Sequence, residues 1–149
     1  MKLRELLKLN GFKCRAMLTT KPDDPICAAV QKFIECDRGS LAVCDEKGAL
    51  AGIITERDIL RKCLSHSDFN PKTVMVRDIM STQIVIGKPD DDLEYAINAM
   101  KQKQVRHMAV VDDQKVIDII SMRDLLGVRL MESDIQLHTM SDYISGVYG

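Results

Sequence analysis

Gly52-Ile53-Ile54-Thr55-Glu56-Arg57-Asp58 is the stretch that decides how the chain folds. An apolar run, Leu50 to Ile54, stops at a hydroxyl, Thr55. A carboxylate follows three residues later, and then the helical pattern Ile59-Leu60-Arg61-Lys62 begins. A strand running straight into a helix is expected, with Thr55 as N-cap and Asp58 in the first turn. The same junction recurs at Asp118-Ile119-Ile120-Ser121-Met122-Arg123-Asp124, ahead of Leu125-Leu126. One such junction is ordinary; two at matching places predict a duplicated chain with a repeated binding site.

Working outward, the duplication extends through most of the sequence. Lys21-Pro22-Asp23-Asp24 recurs as Lys88-Pro89-Asp90-Asp91, and Ala42-Val43 with Asp45 as Ala109-Val110 with Asp112, both at an offset of 67. Thr55 and Asp58 map onto Ser121 and Asp124 at 66, so one residue is lost where Glu46-Lys47-Gly48 faces the tighter Asp113-Gln114-Lys115. Each copy reads β-α-β-β-α. A short extended segment (Cys14 to Thr19, or Ile84-Val85-Ile86) leads to a Pro-Asp-Asp turn, whose carboxylates suit a helix start. The first helices are expected at Pro25 to Cys36 and Asp92 to Lys103, from apolar residues at helical spacing. Strand pairs follow: Ser40–Cys44 with Ala49–Ile54, and His107–Val111 with Val116–Ile120. A second helix starts at the hydroxyl, and the last one, from Leu125, runs to about Ile144 and ends near Gly146.

The organisation is therefore an N-terminal helix and lead-in (1–13), a first repeat (14–66), a linker (67–79) with a helical turn at Val76 to Met80, and a second repeat with its long C-terminal helix (80–149). Neither repeat has enough core alone, so the two sheets are expected to pack on each other. Hydrophobic residues are 46% of the 149, too many for a disordered chain. With no Trp, the core must be Ile, Leu, Val, Met and Ala.

A net charge of −1 excludes a general attraction to nucleic acid or anionic lipid. No apolar run approaches the roughly 18 residues that a membrane span needs. Met1 to Asn10 is an amphipathic pattern, expected to be a docking helix ended by Asn10-Gly11, with a transit peptide as the alternative. The five cysteines are odd in number and scattered, with no C-x-x-C pair or zinc spacing. They are expected to be reduced cytoplasmic thiols, several of them small core residues. Asp90-Asp91-Asp92 is expected to be a solvated helix start rather than a cation site. No nucleophile–base pair, metal motif or P-loop stands out, so a binding protein is expected rather than an enzyme.

Thr/Ser-x-Arg-Asp at a helix N-terminus carries its own chemistry. Backbone N–H groups and the partial positive charge suit a phosphate. The hydroxyl can bond a phosphate or a sugar. The Asp can accept from two vicinal ribose hydroxyls, and Arg57 and Arg123 can face phosphates. The bland alternative is a capping box, in which hydroxyl and carboxylate only satisfy the helix's own amides.

The repeat pattern, with Lys-Pro-Asp-Asp, Val105-Arg106-His107-Met108-Ala109-Val110-Val111-Asp112 and Thr55-Glu56-Arg57-Asp58, resembles a CBS domain pair, the cystathionine β-synthase-type regulatory module. It looks most like the small stand-alone pairs. The resemblance implies an α/β fold of two tandem repeats packed through their sheets. It implies a regulatory module binding adenosine-containing ligands (AMP, ADP, ATP, NAD(H) or S-adenosylmethionine) in clefts between the repeats, with no metal required. It also implies a homodimer and an unidentified regulated protein; a structural dimerisation protein with no obligatory ligand is the alternative. Matched onto this chain, Asp58 and Asp124 would hold ribose, and Thr55 and Ser121 ribose or phosphate. Arg106, His107 and Met108 would line the cleft, with Ile84 and Ile86 on its first strand. Asp118 departs from the pattern by standing where Gly52 stands in the first repeat. It would either repel phosphate from the cleft or face solvent at an edge. Arg38-Gly39-Ser40, in place of an Arg-His-apolar segment, is a second departure.

Overall fold

The computed structural model describes residues 1–9, 12 and 19–144. In chain order the elements are α1 (Leu3–Leu6), β1 (Thr19–Thr20), α2 (Ile26–Cys36), β2 (Ser40–Cys44), β3 (Leu50–Thr55) and α3 (Glu56–Ser65). A 3-10 turn (Val76–Asp78) leads to β4 (Val85–Gly87), α4 (Leu93–Lys103), β5 (His107–Asp112), β6 (Lys115–Ser121) and α5 (Met122–Ile144). The first strand expected at Cys14 to Thr19 lies outside the described residues except at its end, as do the Asn10-Gly11 stop and Gly146.

Each repeat forms a three-stranded sheet, β1-β2-β3 or β4-β5-β6, parallel at the first pair and antiparallel at the second. The second hairpin turns through Asp113 and Gln114, both left-handed, a two-residue connection suited to strand twist. The longer first turn places its positive φ on Gly48. That is the physical content of the one-residue gap between the copies.

The central strands β2 and β5 are near-continuous apolar runs because both their faces are covered. In β2, Leu41 and Val43 face α2 and α3 with Ile26, Ala29, Phe33 and Ile59, while Ala42 and Cys44 face the other sheet. In β5, Met108 and Val110 pack against α4 and α5, and Ala109 turns toward the first repeat. The two sheets therefore meet through Ala42, Ile53, Ala109 and Ile119, small or short residues that allow close approach. Among the described cysteines only Cys44 is buried, where burial raises its thiol pKa; Cys36 and Cys63 are exposed and Cys27 is half-buried. Cys36 and Cys63 do not join the core because α2 and α3 turn those two positions outward, and Cys14 lies outside the described residues.

The amphipathic N-terminus forms a helix shorter than Met1 to Asn10 predicts, and it docks on the second repeat. Leu3 and Leu6 are fully buried among Leu93, Met100, Met108 and Leu125. The 3-10 turn before the second repeat docks on the first in the same manner. Leu3 N–H donates to Asp91 O and Arg4 N–H to Pro89 O, as Val76 N–H donates to Asp24 O and Arg77 N–H to Pro22 O. Arg4 pairs with Asp90 as Arg77 pairs with Asp23. The repeated Lys-Pro-Asp-Asp is thus a socket for the segment that precedes the other repeat. Its second Asp closes the turn, accepting from Lys21 N–H at 2.9 Å or Lys88 N–H at 2.8 Å. The Lys21 N–H bond chiefly holds the Asp24 carboxyl below its usual pKa. These carboxylates secure a turn and a neighbour; the helix N-caps fall later, at Pro25 and Asp92.

Gly52 has a specific reason to be glycine. Ile53 and Ser81 exchange backbone hydrogen bonds, and a Cβ at 52 would meet the Ser81 carbonyl oxygen at 2.8 Å.

Candidate functional site

Both strand-to-helix junctions form as their spacing predicts. β2 pairs with β3 so that Ser40 lies opposite Thr55, and β5 with β6 so that His107 lies opposite Ser121. The helices therefore start beside the loops that enter β2 and β5. One hydrogen bond fastens each start to its loop: Glu56 N–H to Gly39 O at 3.1 Å, and Met122 N–H to Arg106 O at 2.8 Å.

A reciprocal cap follows in both copies. Asp58 N–H donates to Thr55 Oγ1 at 3.2 Å and Thr55 N–H to Asp58 Oδ2 at 3.0 Å. Asp124 N–H donates to Ser121 Oγ at 3.1 Å and Ser121 N–H to Asp124 Oδ2 at 2.9 Å. The capping box is present, and one carboxylate oxygen of each Asp remains outside it. Two amides in the first turn of each helix are already engaged, which weakens the expectation that a phosphate would rest on backbone N–H groups. Side chains must supply more of that binding.

The two junctions converge on one open cleft of about 930 Å³ between the repeats. Thr55, Arg57 and Asp58 line it from the first repeat, and Arg106, His107, Ser121 and Arg123 from the second. Asp124 does not itself line the cleft, although its charge reaches His107. Ile84, Ile86 and Met108 sit in a neighbouring hollow of about 620 Å³, where Met108 is fully buried and Ile86 exposed. The two spaces share Gln83, Lys103 and Val105 in their walls.

Sequence reasoning missed Arg61, Lys103, Gln83 and Ser81 as lining residues. Arg61 could have been found, since it lies one helical turn beyond Arg57 on the same face. Lys103, at the end of α4, reaches the cleft only through the packing of the repeats. Among the described residues no group of His, Cys, Asp and Glu has the arrangement to hold a metal.

His107, half-buried at the start of β5, lines the cleft. Burial lowers its pKa from the ordinary 6.5; the carboxylates of Asp124 and Asp58 oppose this, and Arg106 reinforces it. Its folded pKa lies below its unfolded one. The stability tied to the neutral imidazole is therefore fully present above the unfolded pKa and is lost as pH falls from there through the folded pKa. In an NMR titration the His107 ring is expected to protonate below pH 6.5. Asp58→Asn with Asp124→Asn should lower that midpoint further; an upward move would contradict this arrangement.

Asp118 neither faces the cleft nor lies at a solvent edge. It is 6% exposed and receives Arg38 Nη2 at 3.3 Å across the repeats, and Ile119 N–H at 2.8 Å. The two departures from the repeat pattern thus answer each other. The extra carboxylate is held by an arginine that the altered first-repeat segment supplies. Arg38 Nη1 is buried with no acceptor among the described residues.

Comparison with known proteins agrees with this architecture. The family model described as CBS domain matches residues 14–65 and again 76–130. CBS domain-containing protein CBSX3, mitochondrial, of Arabidopsis thaliana is 32% identical over 130 residues, covering 85% of this chain. The chain spans 63% of that relative's length. The crystal structure of the CBS domain of NE2398 superposes with a TM-score of 0.75 at 31% identity, over 87% of this chain and 98% of that one. The CBS domain pair of MJ0100, in complex with 5'-methylthioadenosine and S-adenosyl-L-methionine, superposes with a TM-score of 0.71 at 23% identity, over 90% and 98%. Among the described residues no helix is long and apolar enough to cross a membrane.

Proposed function

The chain belongs to the CBS-domain family, and from that premise we propose that it is a non-catalytic regulatory module that binds an adenosine-containing ligand between its repeats and signals to a partner protein. The observation that carries this reading is the convergence of Thr55, Arg57 and Asp58 from one junction with Ser121 and Arg123 from the other on a single cleft. Each Asp keeps one carboxylate oxygen outside its cap; Asp58 lines the cleft, where that oxygen would accept from ribose hydroxyls, and Asp124 lies behind Ser121 and Arg123. A charge-assisted bond of that kind is worth about 1.5–3 kcal/mol. AMP, ADP, ATP, NAD(H) and S-adenosylmethionine are the ligands to test, with the adenine against Ile84 and Met108 in the adjoining hollow. A ligand touching both repeats favours one spacing between them, and it shifts that equilibrium by its differential affinity.

Calorimetry tests this directly. Asp58→Asn and Asp124→Asn keep one oxygen for the cap and remove the charged acceptor. Each is expected to weaken the ligand about tenfold or more, in line with losing one charge-assisted bond. If no adenosine compound binds the wild type, the reading fails and a structural dimerisation role takes its place.

That second reading has an observation of its own, and dimerisation is compatible with either. Leu60 and Leu64 on α3 are exposed, and so are their repeat equivalents Leu126 and Leu130 on α5. Matched apolar pairs on both halves suit a second copy of this chain, which would cover them in a closed two-fold arrangement. Leu64→Asp with Leu130→Asp is expected to convert a dimer into monomers in sedimentation; wild type already monomeric at tens of micromolar would count against the homodimer.

A further inference from the structure

The arginines of this chain divide into two sets. Outside the cleft, each described arginine has a carboxylate: Arg4 with Asp90, Arg38 with Asp118, Arg77 with Asp23 and Arg129 with Glu94. Inside it, Arg57, Arg61, Arg106 and Arg123 have no ion pair among the described residues, and neither does Lys103. The chain carries 22 acidic residues against 21 basic, so counter-charges are plentiful. Only Glu56 and Asp58 reach the cleft wall, and Asp58 already accepts the Thr55 N–H. Five cationic side chains from two repeats thus face one space with two carboxylates. Their mutual repulsion disfavours the unliganded cleft and is relieved by a multiply charged anion.

Resting on the reading of the cleft as an adenosine site, we propose that it selects its ligand by the phosphate chain, taking ATP and ADP over AMP and discriminating against S-adenosylmethionine. The cations enter from three places: Arg57 and Arg61 from α3, Arg123 from α5, Lys103 and Arg106 from the end of α4 and the loop beyond it. A single α-phosphate offers fewer oxygens and less charge than groups presented from three places can take up. A triphosphate chain can engage all three, and guanidinium groups bind phosphate oxygens two at a time. S-adenosylmethionine brings a sulfonium and an ammonium against a single carboxylate, a net positive charge, into the same field. The MJ0100 pair is the contrast, since its structure contains S-adenosyl-L-methionine.

The test is calorimetric titration of the full chain with adenosine, AMP, ADP, ATP, S-adenosylmethionine and tripolyphosphate, at low and high salt without added divalent cation. The expected order is ATP, ADP, AMP, adenosine, with ATP at least tenfold tighter than AMP and S-adenosylmethionine weakest. ATP affinity should fall steeply with salt while adenosine affinity stays level, and tripolyphosphate should compete with ATP. Arg61→Ala and Arg123→Ala should each weaken ATP about tenfold and leave adenosine unchanged. Equal affinity of AMP and ATP, or S-adenosylmethionine binding as tightly as ATP, overturns the charge selection and leaves the adenosine site standing. Failure of every nucleoside compound to bind overturns the adenosine site itself.

Discussion

Replacing Leu3 and Leu6 together by alanine is expected to cost about 6 kcal/mol and to loosen the second repeat, although both residues precede the first. Both side chains are fully buried against α4, β5 and α5. A buried Leu→Ala change costs about 2–5 kcal/mol through lost transfer energy and the cavity left behind. The two residues share neighbours, so their effects need not add. Against a total stability of about 5–15 kcal/mol the double change is severe. Urea unfolding measures the loss. Amide exchange locates it, with protection expected to fall first in α4 and β5. Protection lost first from α2 and β2 would show that the N-terminal helix supports its own repeat instead.

Asp118→Ala is expected to destabilise by about 3 kcal/mol, as removal of one member of a buried ion pair does. Arg38 Nη2 would lose its carboxylate while Nη1 already lacks an acceptor, and the Ile119 amide would lose Oδ1. Arg38→Met added to Asp118→Ala removes the stranded guanidinium and should recover part of the loss, because an apolar replacement of both partners is far cheaper than breaking the pair. The double-mutant cycle should show coupling above about 1 kcal/mol. Additive losses would mean that the two residues act separately.

Several elements were legible before any tertiary structure. The strand pairs follow from apolar runs between turn residues, and β2 matches its expected span, Ser40 to Cys44. Both junctions follow from a hydroxyl and a carboxylate three residues apart, which is local chemistry. Arg57 and Arg123 follow from the junction pattern, Arg106 and His107 from the family resemblance, and all four line one cleft. Lys-Pro-Asp-Asp does more than its local chemistry signals, for a physical reason. Its carboxylates suit a helix start in isolation, and the segments they actually receive, Leu3–Leu6 and Val76–Asp78, arrive from elsewhere in the chain.

Asp118 likewise departs from its local signal, since its partner Arg38 stands 80 residues away on a different repeat. No local pattern signals such a pair, and a lone acidic residue in a strand reads as an exposed one.

The sequence by itself determined the duplication, the β-α-β-β-α order, and the placing of a hydroxyl, an arginine and an aspartate at both strand-to-helix junctions. Those follow from periodicity and capping, which depend on residues a few positions apart. Only the tertiary structure decided that the two junctions share one cleft. It also decided that the N-terminal helix belongs to the far repeat, and that the cleft gathers four arginines with no ion pair among the described residues. Those depend on which faces the two sheets bury against each other, and burial is settled by the whole chain at once.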